Sequence, residues 1–286
     1  MSREVLGAKS VEMEGSIVRR AIPQVARRMV GPFAFLDHFG PRTLEPGQAF
    51  DVRPHPHVGL STLTWLYSGD LVHRDSLGSV QPIRAGEVNW MTAGQGIVHS
   101  ERLDAVVRAR GQLVHGLQFW VALPARDEEM TPAFEHHGAE AIPEWSERFV
   151  TVKVVAGEGW RRRGPVGVRS SLLLADLSFA AGGAIGVPAA KELALYVVSG
   201  KVCVGDETFE IGQLAMVSEG EVLESADGAQ VVLFGGDPFP ERRSIDWNFV
   251  SSDPKRLVAA RARWVARQFP VIPGDADERV PHPSEH

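Results

Sequence analysis

Four side chains able to ligate a transition metal fall in two close pairs: His55 and His57 around Pro56, and His99 and Glu101 around Ser100. In an extended strand, residues i and i+2 project from the same face, so each segment presents two metal-competent groups side by side. On neighbouring strands, roughly 4.8 Å apart, all four converge on one point inside a barrel. Three neutral imidazoles and one carboxylate leave a divalent ion with a net charge of about +1 and open coordination positions. That donor set suits redox or Lewis-acid chemistry better than a closed structural zinc site. Fe(II) is the first choice, and Mn, Ni, Co, Cu and Zn are compatible with the same ligands.

The elements that must position these groups read as strands. Pro56 cannot donate to a ladder, which predicts a strand start or an edge for His55–His57. Gly94 and Gly96 let the chain turn tightly before His99. Helical periodicity is scarce. Alternating or β-branched runs recur instead at 58–67, 86–92, 113–123, 149–156, 172–179, 193–198, 201–204, 213–217 and 230–234, separated by Gly, Pro and Asp turns. This spacing predicts an all-β sandwich or barrel. The other histidines, His73, His115, His136 and His137, read as surface or satisfied core. Trp90 and Phe50 read as core packing before they read as pocket walls.

An internal echo points to two domains of one kind. Leu66-Tyr67-Ser68-Gly69 is followed by Gly86 and a strand, and Val197-Val198-Ser199-Gly200 is followed by Gly212 and a strand. In both, a strand is expected to end at Ser-Gly and a hairpin to follow. The boundary falls between Leu123 and Phe149, giving domains 1–135 and 136–286. Counting along the echo places Gly186, Pro188, Ser225 and Asp227 where the first domain has His55, His57, His99 and Glu101. The second barrel therefore lacks a comparable ligand set. Asp253 as N-cap with Pro254 at the first helical position predicts a C-terminal helix over 254–268, with Leu257, Ala260, Trp264 and Gln268 at helical spacing, Val258 and Val265 beside them, and the Trp264 stripe packed on a barrel. Residues 270–286 read as a loose tail, in which His282 and His286 are poor ligand candidates.

Bulk composition narrows the function classes. The 286 residues are 44% hydrophobic and 23% charged, ordinary for a globular chain, and the formal net charge is −6. That balance asks for no direct nucleic-acid or membrane partner. Arg161-Arg162-Arg163 and the basic residues between Lys255 and Arg267 read as solvated surface. The single cysteine, Cys203, permits no intrachain disulfide and reads as a small core residue. The polar segment 1–10 lacks an apolar h-region and no run is long enough to span a membrane, so a cytoplasmic location is expected.

The chain resembles the pirin family of the cupin superfamily. The resemblance rests on Gly31-Pro32-Phe33 leading to Leu36-Asp37-His38-Phe39-Gly40-Pro41, then Pro54-His55-Pro56-His57, His73-Arg74-Asp75-Ser76-Leu77-Gly78, and the run from Gly86 through Trp90 to Glu101. His115-Gly116-Leu117-Gln118 with Trp120 is similar to the strand that closes the family's first cupin domain. Membership implies two jelly-roll (cupin) β-barrels, iron in the first, and His55, His57, His99 and Glu101 in the ligand positions. It also implies quercetin 2,3-dioxygenase-type chemistry, with a flavonol or similar aromatic and O2 as substrates and Glu101 as both ligand and proton acceptor. The alternative is a non-catalytic, redox-responsive iron protein that binds a protein partner. Ser61 stands where the family commonly has Glu, and Ala122 where Asn is usual.

Overall fold

The computed structural model describes residues 3–285; Met1, Ser2 and His286, the last read above as a poor ligand, lie outside the described residues. The chain divides into two compact units, each built from three segments. One comprises Glu12–Val18, Phe39–His136 and Pro240–His286; the other comprises Met1–Val11, Arg19–His38 and His137–Phe239. A single cut near residue 135 therefore does not describe the packing. The strand Val5–Gly7 pairs antiparallel with Gln213–Ala215, so the N-terminal residues belong with the second repeat. The C-terminal helix instead joins the unit that holds His55, His57, His99 and Glu101: Leu257, Ala260 and Trp264 bury among Val58, Val98, Phe249, Phe269 and Ile272. Among the described residues, no helix is long and apolar enough to cross a membrane.

Both units use the same β plan, in keeping with the echo. In the first, Leu60–Ser68 is flanked by Val88–Thr92 and Gln112–Ala122. In the second, Glu192–Val204 is flanked by Gln213–Val217 and Ala229–Gly236. One hydrogen bond repeats at the equivalent place: Gly86 N donates to Leu66 O at 3.0 Å, and Gly212 N donates to Val197 O at 2.9 Å. Both glycines sit at φ near +80°, a left-handed conformation that few side chains tolerate. The second repeat departs from expectation at Ser199-Gly200. No strand ends there; the ladder shifts register between Val197 and Ser199, and one strand continues to Val204.

The second unit has a large apolar core, with Val150, Val152, Leu173, Leu177, Ile185 and Leu223 among its buried members. Its strand pairing also corrects the counting made along the echo. Gly183 lies opposite Ser225, and Ile185 opposite Leu223. Gly183 and Ile185, not Gly186 and Pro188, thus occupy the places of His55 and His57. The connection to the next strand explains the shift, being five residues (187–191) against two (58–59) in the first unit. Ser225 is committed to the Lys201 carbonyl at 2.7 Å.

The C-terminal helix runs Pro254–Val265, with Asp253 Oδ1 accepting from Lys255 N. It stops before Gln268 because Arg267 turns into the left-handed region, while Arg267 N bonds to Trp264 O and Gln268 N to Arg263 O. This is a Schellman cap with arginine in the usual glycine place, so the sequence carries no stop signal. The basic run is not merely solvated. Arg256 reaches Glu128 at 3.0 Å, and Glu128 is 1% exposed. Arg243, wholly buried, meets the same carboxylate at 3.2 Å.

Before the His99 strand, Gly94 has φ +51°, and a Cβ built there lies 1.9 Å from the Met130 carbonyl oxygen. Gly94→Ala is expected to lower stability by at least about 1–3 kcal/mol, from backbone strain alone. An unchanged denaturation midpoint would show that the turn can relax.

Candidate metal centre

The strand Val52–His57 lies at the edge of a four-stranded sheet, beside Ile97–Arg102, which in turn pairs with Asp70–Asp75. The register sets His99 opposite His55, and Ile97 opposite His57. The ladder is irregular beyond that point: Glu101 faces Val52, so Arg53 and Pro54 together oppose the single residue Ser100. A bulge at an edge is where proline's missing donor costs least.

This arrangement brings three imidazoles together. His55, His57 and His99 offer ligand nitrogens that all lie within 4.8 Å of one another. His57 and His99 are each 1% exposed, and His55 is 8%. Each ring is tied on its Nδ1 side. His55 Nδ1 donates to the Arg53 carbonyl at 2.8 Å, and His57 Nδ1 donates to the Asn248 carbonyl at 3.1 Å. His99 Nδ1 lies 3.4 Å from His73 Nδ1, while His73 Nε2 bonds to Asp75 Oδ2 at 2.9 Å. An Asp75 carboxylate only accepts, so His73 carries its proton on Nε2 and turns a lone pair toward His99 Nδ1–H. All three rings are thus left with an Nε2 lone pair facing inward. His99 Nε2 is buried with no hydrogen-bond partner, an orphan of the kind a metal would satisfy. Fixing the outer nitrogen so that the inner one ligates is the usual support for a metal-bound histidine.

Burial keeps these rings neutral. Desolvation pushes His55 down to about 4, against the weaker opposing pull of the Arg53 carbonyl. His57 and His99 fall well below the ordinary imidazole range, through burial and then the repulsion of neighbouring imidazoles. A neutral ring is the form that binds metal.

Glu101 stands apart from the imidazole trio. Its Oε1 lies 2.9 Å from Thr64 Oγ1, which lies 3.0 Å from Gln118 Oε1. One hydroxyl hydrogen cannot serve two acceptors. With the Gln118 amide turned so that its Nε2 donates to Thr64 Oγ1, Thr64 donates to Glu101 and all three groups are satisfied. Burial pushes the Glu101 carboxyl up from its ordinary value, only partly offset by His73 and Thr64.

The remaining residues sort clearly. His73 is a buried, bonded core histidine, stacked on Phe134 at 4.3 Å, but it also backs His99. The i, i+2 spacing that pairs His55 with His57 equally pairs His73 with Asp75, so this support was readable. The Asn248 carbonyl, a backbone group on a distant turn, has no side-chain signature. His115 packs against Tyr67 and His136 bonds to Asn89, both outside the cluster. Trp90 is buried and donates to Thr92, and Phe50 packs on Phe39, as core residues do. Ser61 bonds to Thr92 and alternates with Thr64 along its strand, so it faces away from the Glu101 side. His282, far from loose, is 4% exposed and bonds to Ser284.

Two repeats of one β plan, the first enclosing a buried imidazole trio, define a two-domain cupin whose His-rich site could hold a metal ion. The chain belongs to the pirin family: residues 15–121 match the family model described as Pirin, and residues 174–270 match that described as Pirin C-terminal cupin domain. A pirin-like protein of Caulobacter vibrioides is 41% identical over 98% of both chains. The pirin of Rattus norvegicus is 31% identical over 83% of this chain and 82% of its own. The crystal structure of a quercetin 2,3-dioxygenase from Acinetobacter baumannii superposes with a TM-score of 0.91 at 33% identity, covering 98% of this chain and 95% of that one.

The depressed imidazoles set an acid limit on the protein stripped of metal. Below about pH 6.5 the unfolded chain takes up protons that the folded site refuses, so stability falls as pH falls. For His55 the loss continues to about pH 4. Its slope is roughly 1 kcal/mol per pH unit for each such ring. The raised Glu101 carboxyl acts with the opposite sign, one group against three. The melting temperature is expected to drop between pH 7 and pH 5, and to drop less in His55→Gln; equal slopes would refute the assignment.

Proposed function

We propose that this chain is a metal-dependent dioxygenase of the quercetin 2,3-dioxygenase type, opening a flavonol or similar aromatic with O2. In this reading Fe(II) is held by His55, His57 and His99, with Glu101 as the fourth ligand. The observation that carries it is the inward set of three Nε2 lone pairs, each fixed by an outer partner. The overall likeness to the Acinetobacter baumannii enzyme supports the substrate class. When bound, the metal supplies Lewis acidity toward a substrate oxyanion and the one-electron chemistry that dioxygen requires.

The chain's own groups supply the rest. Burial raises the proton affinity of the Glu101 carboxyl, which suits it to accept the proton of a flavonol hydroxyl at Oε. Thr64, itself bonded to Gln118, holds that carboxyl in its resting position. Trp120, edge-on to the His57 ring at 5.1 Å, places aromatic surface beside one of the donors, and Phe134 stacks on His73 behind another. Such walls exclude water and favour a planar aromatic substrate over a small polar one.

Loading the chelator-stripped protein anaerobically with Fe(II), then adding quercetin and air, should bleach the flavonol absorbance. His99→Ala should lose bound metal and turnover together. Turnover retained by His99→Ala would overturn the site, whereas tight metal binding with no flavonol consumed would shift the reading to a regulatory iron protein.

A further inference from the structure

We infer that residues 244–285 form a clasp that positions the metal ligands, with Asp275 as its principal positioning residue. The inference rests on reading the imidazole trio as a metal site, and it adds the part of the chain that holds those ligands in place.

The strand bearing His55 and His57 is an edge strand with a bulge, and one side of its backbone has no partner within its sheet. Unpaired edge groups leave a strand free to shift unless something covers them. The C-terminal segment covers this one at three places. Val280 N donates to the Pro54 carbonyl at 2.9 Å, one residue before His55. The Asn248 carbonyl accepts from His57 Nδ1. Val250 N donates to the Val58 carbonyl at 3.0 Å, one residue after His57. Both carbonyls of the bulge are thereby used, Arg53 by His55 and Pro54 by the clasp.

The neighbouring strand is gripped in the same way. Asp275 Oδ2 accepts from Ser100 Oγ and from Arg102 Nε, each at 2.7 Å, and Oδ1 accepts from Arg102 Nη2 at 2.8 Å. Ser100 lies between His99 and Glu101, so one carboxylate fixes the backbone on which both are carried. Charge-assisted, bidentate bonds of this kind are both strong and directional. Asp275 is ionised in this setting, because its bonds to Arg102 and Ser100 outweigh the cost of its burial and lower its proton affinity.

The clasp is itself ordered. Trp264 Nε1 donates to the Val280 carbonyl at 3.1 Å, tying the tail to the helix. Trp247, at φ +53°, is held in that uncommon conformation by Phe249, Trp264 and His282. A left-handed tryptophan is strained, and the turn it makes is the one that delivers the Asn248 carbonyl to His57.

Titrating the chelator-stripped full chain with Co(II), read by its visible absorption, tests the clasp. Asp275→Ala is expected to weaken Co(II) binding by about 10-fold, the low end of the effect of removing a direct partner of a metal ligand, because Asp275 acts through Ser100 and Arg102. Asp275→Asn keeps an acceptor and should recover part of the loss. Ser100→Ala removes one hydroxyl and serves if Asp275→Ala fails to fold. Leu223→Ala, in the core of the other unit, should lower the melting temperature and leave Co(II) affinity unchanged. Affinities of Asp275→Ala or Ser100→Ala equal to the parent's, beside a lower melting temperature, would make the clasp merely structural. Absence of Co(II) binding by the parent itself would instead remove the metal-site reading. By reciprocity, Co(II) should also slow amide exchange over residues 272–282 in the parent; exchange unaffected by metal would count against the clasp.

Discussion

Everything at the candidate site depends on where three imidazole protons are held. A buried histidine has one proton to place and two nitrogens to satisfy. Here the Arg53 carbonyl, the Asn248 carbonyl and the His73–Asp75 pair each claim an Nδ1 proton. The consequence is a cavity lined by lone pairs, costly to leave unmatched in a low-dielectric interior and suited to a cation. Neutral rings and inward lone pairs are one fact seen twice: burial rejects the ring proton, and the rejected proton is what would compete with a metal.

Glu101 shows that the donor set is not symmetrical. The imidazoles are each fixed by a backbone or core partner, whereas the carboxyl rests in a short side-chain chain through Thr64 to Gln118. A group held by a hydroxyl can exchange partners at little cost, because each hydrogen bond contributes only about 1 kcal/mol net. In the proposed reaction this mobility would let the carboxyl serve as ligand in one state and as proton acceptor in another, while the histidines stay in place.

Much of this was legible in the sequence, and the gaps have physical reasons. The two i, i+2 pairs revealed the imidazole cluster because strand geometry alone fixes which side chains share a face. The echo around Gly69 and Gly200 revealed the repeat because positive-φ turns constrain residue type. Strand pairing was not legible: loop length moved the second repeat's equivalent positions by three residues, to Gly183 and Ile185. The end of the helix was missed because Arg267 fills a place normally marked by glycine. The tail was misread as loose because Asp275, Val280 and His282 are unremarkable in composition; only their long-range partners order them.

The position of the clasp in the chain bears on how the protein is made. His57 meets its Asn248 partner 191 residues later, and Ser100 meets Asp275 after 175. During synthesis the imidazole strands therefore emerge long before the groups that orient them. The site acquires its defined shape only when the distal segment has left the ribosome and closed over the edge strand. On the proposed clasp, any metal preference that depends on ligand geometry would be set only once that segment is in place.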